Sequence, residues 1–178
     1  MQKIETDIEG LYVIQLETYS DNRGFFVERY NREKFKKIGI NEDFVQDNHS
    51  RSYQHVIRGL HAQKGQGKLV GSINGSIYDV AVDIRPESKT FGKFFGIELS
   101  DKNGKLLWVP DGFLHGFQVI SEIADVTYKV TALFNPDAQF AVCWNDIDIK
   151  INWPAGDRAI LNERDANAPR LREINELK

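Results

Sequence analysis

The sequence predicts an all-β fold, a sandwich or barrel of many short strands. Three observations carry that expectation. Most ordered segments alternate at period two, which a half-buried strand requires. Turn-forming runs separate them at short intervals: Asn74-Gly75, Arg85-Pro86, Asn103-Gly104, Asp111-Gly112 and Asn135-Pro136. Helical pattern is confined to two short places.

The first of these runs from Asn31 to Ile38, a charged segment with Phe35 and Ile38 on one side. His61 and Gln63 then share one strand face, with Leu60 and Ala62 on the other. Lys68 alternates with Val70 and Ser72, which can aim it into a cavity. Tyr78, Val80, Val82 and Ile84 form one face, and Asp79, Ala81 and Asp83 form the other. Phe95, Ile97 and Leu99 alternate with Gly96 and Glu98. A strand is expected from Val126 to Phe134, with Tyr128 inward beside Val130 and Ala132. Further strands are expected over 140–144 and, from Ile149, Ile151 and Trp153, over 149–153. Asn162 is a candidate N-cap for a turn or short helix reaching Asn167, and the charged tail after Pro169 reads as a surface extension.

A single domain over residues 1–178 is the simplest organisation. The net charge of −3 argues against a nucleic-acid or anionic-membrane partner. No apolar run reaches the roughly 18 residues of a membrane-spanning helix. The N-terminus shows no signal-peptide core, so a cytoplasmic protein is expected. Cys143 is the one cysteine, which excludes an internal disulfide. It lies in an apolar run with no activating neighbour, as a small buried hydrophobe would.

Chemistry concentrates around His61, Lys68 and His115. Arg58 stands three residues before His61 and Lys68 seven after it. Three groups of positive character near one strand pair are costly to bury without an anion, from a ligand or from the protein. Glycines flank Leu114-His115, which suits close backbone or ligand approach; a plain loop histidine is the alternative. Tyr128 is either a core tyrosine or a general acid in a cavity. The run Gly65-Gln66-Gly67-Lys68 is not a phosphate-binding P-loop. That motif needs glycine where Ala62 stands and serine or threonine where Leu69 stands. The four histidines, His49, His55, His61 and His115, show no metal-ligand spacing, so no metal is expected.

Several segments, in order, resemble the dTDP-4-dehydrorhamnose 3,5-epimerase family. They are 21–28 (Asp-Asn-Arg-Gly-Phe-Phe-Val-Glu), 44–52 (Phe-Val-Gln-Asp-Asn-His-Ser-Arg-Ser), 58–61 (Arg-Gly-Leu-His), 66–70, 79–85, 110–117 (Pro-Asp-Gly-Phe-Leu-His-Gly-Phe), Tyr128-Lys129, 144–146 and 161–165. The resemblance implies a cupin-like jelly roll with a few short peripheral helices, working as a homodimer without a cofactor. Its substrate would be a dTDP-linked 4-keto-6-deoxy sugar. It also implies roles. His61 matches the general base, Asp165 the carboxylate that orients it, Lys68 the group that stabilises the enolate oxygen, and Tyr128 the proton donor on the opposite face. His115 matches a second histidine lining the site. Arg23 and Arg58 match diphosphate contacts, and Gln46 and Asn48 match substrate contacts. Phe25 and Glu28 match a segment that packs across the dimer. Two departures lie beside the site: the stretch from His61 to Lys68 is two or three residues shorter than is typical, and Ala62 stands where an aromatic is common. Leu133-Phe134 also replaces a pair of aromatics. A 3- or 5-mono-epimerase of a related sugar nucleotide, or a non-catalytic sugar-binding jelly roll, stay open as alternatives. A 3,4-ketoisomerase fits less well, because a base opposed to an acid suits inversion at carbon.

Overall fold

The computed structural model describes residues 1–174. Its strands are β1 (Gln2–Glu5), β2 (Tyr12–Gln15), β3 (Thr18–Asp21), β4 (Gly24–Val27), β5 (Gln46–Tyr53), β6 (Ile57–Gln63), β7 (Lys68–Asn74), β8 (Ser76–Asp83), β9 (Phe94–Ser100), β10 (Lys105–Val109), β11 (Phe113–Val119), β12 (Ile123–Val130) and β13 (Gln139–Ala141). Two antiparallel sheets face each other: six strands in the order β1-β2-β10-β7-β12-β5, and five in the order β13-β6-β11-β8-β9. β3 and β4 form a separate hairpin.

Three apolar layers follow from the alternation. Between the sheets, Val13, Val70, Leu107 and Val126 meet Ile77, Ala81, Leu99, Phe113 and Phe117. On the outside of the five-stranded sheet, Ile57, Leu60, Val80, Val82 and Leu114 are covered by Val142, Ile149, Trp153, Leu171 and Ile174. On the outside of the six-stranded sheet, Ile14, Leu69, Leu106 and Trp108 take Phe35 and Ile40. The two faces read from β8 are therefore both buried, one toward each layer. Helix α1 (Arg32–Lys37) is capped by Asn31, whose side chain accepts from the Lys34 amide. At 1% exposure Phe35 anchors it, worth about 2 kcal/mol of apolar burial. Asp83 is fully buried and ties down the loop after β8 by accepting from Arg85, Ser88 and Thr90. Burial alone would raise its carboxyl. Those donors outweigh it and hold the group well below the ordinary range.

Four expectations need correction. β12 ends at Val130, and residues 131–138 form a connection containing a 3-10 turn at Pro136–Ala138. β13 runs over 139–141 and so covers only 140–141 of the expected 140–144 strand, and the Cys143 thiol is half-buried, donating to Asn145. Residues 149–153 form no strand. Their alternation reflects a coil lying on a sheet: Ile149 and Trp153 insert into the outer layer, and the Trp153 indole donates to the Trp144 carbonyl at 2.7 Å. The tail is no mere surface extension as far as it is described, because Leu171 and Ile174 are buried; its remainder lies outside the described residues. No described helix is long and apolar enough to cross a membrane.

A close backbone contact joins β6 to β11. A Cβ on Gly59 would stand 2.5 Å from the Gly116 Cα and 2.9 Å from the His115 carbonyl oxygen, and Gly59 has φ +127°. Neither the space nor the backbone conformation admits a side chain there. Gly59→Ala should therefore destabilise the fold by about 2–3 kcal/mol, read as a lower urea midpoint. An unchanged midpoint would show that the two strands can separate at little cost.

Candidate active site

A cavity of about 400 Å³ opens between the two sheets, lined by His61, Lys68, His115, Tyr128, Asp165 and the inner face of β5, among others. His61 and His115 are direct cross-strand partners on β6 and β11. The register slips between His115 and Phe117, at the glycine contact described above. Direct pairing turns both side chains to one face of the sheet, so two neighbouring strands deliver two histidines into one space.

Asp165 reaches His61 from helix α2 (Glu163–Ala166). Asn162 caps that helix, its Oδ1 accepting from the Asp165 amide at 2.7 Å. The Asp165 side chain is 1% exposed. Its Oδ1 lies 2.6 Å from His61 Nε2, and its Oδ2 accepts from the Gly59 amide at 3.2 Å. Burial pushes this carboxyl up, but the His61 hydrogen bond, the His61 charge and the Gly59 amide together hold it below its ordinary value. An ionised Asp165 takes the proton-bearing Nε2 and leaves Nδ1 of His61 with the lone pair of a base. A second pair stands beside the first: His115 Nε2 lies 2.9 Å from Asp79 Oδ1, with both side chains buried.

The other sheet supplies the facing wall. Lys68 begins β7 and is 8% exposed, its Nζ donating to the His61 carbonyl at 3.3 Å. Desolvation lowers its ammonium to about 8, against the opposing pull of Asp79 and Asp111. Tyr128 on β12 is half-buried, and desolvation raises its phenol, with Arg58 acting in the other direction. It is therefore protonated at neutral pH and able to donate. On β5, Gln46 donates to Asn48 at 2.8 Å, and both line the cavity.

The chain thus gathers His61, Asp165, Lys68, Tyr128, His115, Gln46, Asn48 and Arg58 around one space. Arg58 is exposed at its edge, with Nε on Ser52, so of the three groups Arg58, His61 and Lys68 only Lys68 is buried and His61 partly so. Arg23, Phe25 and Glu28 are not brought to the cavity within one chain. They sit on and just after the β3–β4 hairpin. Arg23 pairs with Asp21 at 2.6 Å, Glu28 pairs with Lys34 at 2.8 Å, and Phe25 is 60% exposed. His115 lies within a strand, not in a loop. Asp79 was missed by the sequence reading. Its signal was present as an acidic residue on the same strand face as Ala81, where an apolar neighbour would be ordinary. Among the described residues no three His, Cys, Asp or Glu side chains gather as metal ligands.

Fold and cavity together define a cupin-like jelly roll fitted with an acid–base site between its sheets. The particular family follows from comparison with known proteins: the chain belongs to the dTDP-4-dehydrorhamnose 3,5-epimerase family, whose model matches residues 5–173. It is 46% identical to the Escherichia coli dTDP-4-dehydrorhamnose 3,5-epimerase over 182 aligned residues, covering 100% of this chain and 98% of the relative. The crystal structure of a Legionella pneumophila dTDP-6-deoxy-D-glucose-3,5-epimerase with dTDP-4-keto-L-rhamnose superposes with a TM-score of 0.95 at 43% identity, covering 99% of this chain and 96% of that one. A 3'-monoepimerase from Streptomyces bikiniensis in complex with dTDP-quinovose is more distant. It has a TM-score of 0.88 at 28% identity, covering 94% and 86%.

Because the Asp165 carboxyl is held low in the fold, its stabilising effect is complete above the unfolded value near pH ~4 and disappears as pH falls through the folded one. Wild type should exceed Asp165→Asn by about 2 kcal/mol in urea unfolding at pH 7, and the margin should shrink toward pH 2. A margin independent of pH would mean that the carboxylate charge contributes nothing to the fold.

Proposed function

We propose that this protein inverts C3 and C5 of dTDP-4-dehydro-6-deoxy-D-glucose, giving dTDP-4-dehydro-L-rhamnose. The observation that carries this reading is the placement of base and acid on opposing walls. His61, oriented by Asp165, belongs to the five-stranded sheet, while Tyr128 and Lys68 belong to the six-stranded sheet. A sugar ring between the walls meets a base on one face and an acid on the other, which inversion at carbon requires.

The C4 ketone acidifies the hydrogens on C3 and C5. His61 Nδ1 removes one as a proton; the C–H pair becomes the enolate, and the imidazolium is balanced by Asp165. The developing oxyanion is stabilised by the Lys68 ammonium, which desolvation lowers to about 8 and so leaves mostly charged at neutral pH. Tyr128 then delivers a proton to the opposite face of the carbon. His61 and Tyr128 return to their starting states by exchange with solvent, so each inverted carbon acquires a solvent hydrogen.

Family membership supports a dTDP-linked substrate, and Arg58, Gln46 and Asn48 would hold its polar groups. A homodimer belongs to the same proposal. The hairpin leaves Tyr19, Phe25 and Phe26 exposed at 57%, 60% and 67%, an apolar tip suited to a second copy. Arg23 on that hairpin would then contact the diphosphate in the partner's site. A cytoplasmic setting fits a chain whose one cysteine is a free thiol.

Incubation with the substrate in D2O tests the reaction. Deuterium at both C3 and C5, read by NMR, is expected; deuterium at one carbon alone would make this a mono-epimerase. His61→Ala should abolish exchange while leaving a folded protein, and substantial residual exchange would remove its role as base. Tyr128→Phe should slow inversion more than exchange, and equal losses would reassign the donor. Arg23→Ala should weaken dTDP binding by about 10- to 100-fold, measured calorimetrically, through the lost charge-assisted contact. Unchanged affinity would remove the hairpin from the site.

A further inference from the structure

Asp79 is fully buried, yet only half of its carboxylate is satisfied. Oδ1 is held by His115, and Oδ2 finds no hydrogen-bond donor among the described residues. Lys68 is nearly as deeply buried, and among the described residues its ammonium has only the His61 carbonyl oxygen within hydrogen-bond reach. The two groups are joined through the histidines: His115, which holds Asp79, is the direct cross-strand partner of His61, whose carbonyl takes Lys68. An uncompensated buried charge is costly, and a nearby charge of opposite sign relieves that cost without contact. We propose that Asp79 is a positioning residue that keeps Lys68 charged, while its other oxygen fixes the orientation of His115. The inference rests on the reading of Lys68 as the group that stabilises the enolate.

The surroundings of Lys68 leave this task mainly to Asp79. Lining the same cavity as the lysine are Arg58 and His61 from β6, His115 from β11, Tyr128 from β12 and Asp165 from α2. Asp111, in the turn before β11, is the other carboxylate acting on it. Asp165 is committed to His61 and the Gly59 amide. Asp111 accepts from the Gly65 amide in an exposed turn, and its effect is smaller than that of Asp79. Against desolvation, which drives Lys68 down to about 8, Asp79 is the larger opposing influence.

The sign follows directly. Removing the Asp79 charge lets desolvation act with less opposition, so Lys68 loses its proton at lower pH. In the full-length protein labelled with [13Cε]lysine, the Lys68 resonance, assigned by its absence in Lys68→Met, is followed against pH. In Asp79→Asn its midpoint should move down by about one unit, and Asp79→Glu should restore most of that shift. An unmoved midpoint in a folded Asp79→Asn protein overturns the proposal. If that variant does not fold, the wild type decides: a Lys68 midpoint at or below pH 7 means that the ammonium is not held, and the proposal fails. The pH profile of kcat/KM judges the underlying reading separately. Its alkaline limb should lie near pH 8 in the wild type and follow the resonance downward in Asp79→Asn. A limb that ignores a shifted resonance would remove Lys68 from enolate stabilisation while leaving its electrostatic tie to Asp79 intact.

Discussion

Burial of a carboxylate at the end of a short helix is the constraint on which the site depends. Asp165 has almost no contact with solvent, so each oxygen must find a donor inside the protein. One donor is the His61 ring and the other is the Gly59 amide, two residues away on the same strand. Both must therefore be presented together, and the glycine contact with β11 is what places that stretch of β6 where α2 can reach it. Helix capping, strand approach and the protonation of an imidazole are in this way one linked requirement. A change at any of the three is felt at the other two.

The two sheets divide the chemistry. In the proposed reaction, proton acceptance falls to one wall and proton donation to the other, so opposite-face access comes from the architecture of the barrel. The same division gives Lys68 its low-dielectric surroundings, because its side chain points between layers that otherwise exclude water. Lysine suits this place better than arginine would, since an ammonium is a compact charge that burial can tune, whereas a guanidinium is not readily deprotonated.

Strand periodicity was the most legible part of the sequence, because every sheet position has a definite inside and outside. Tyr78, Val80 and Val82 sort to one layer and Ala81 to the other, as their alternation required. The same signal misled at 149–153, where an irregular segment inserts side chains into a groove at similar spacing; period two records burial, and burial has more than one cause. Family resemblance named most of the cavity residues. It could not show that His61 and His115 are cross-strand neighbours, since that depends on the pairing register of β6 and β11. Asp79 stayed hidden because its partner lies 36 positions further on and its meaning is electrostatic. The spacing of Arg58, His61 and Lys68 could not say which of them is buried; the strand leaves Arg58 exposed at the cavity edge.

The position of Asp165 in the chain has a consequence for biogenesis. Every other lining group of the cavity lies earlier in the sequence, so a growing polypeptide can lay down both walls before the orienting carboxylate has been made. The barrel strands have all been synthesised by then, whereas α2 and the buried Leu171 and Ile174 that help cover the outer layer come later. A nascent chain short of Asp165 carries His61 without its carboxylate partner. The proposed proton transfer is thereby deferred until that residue has been translated, and a product terminated before it would hold the strands without the orienting group.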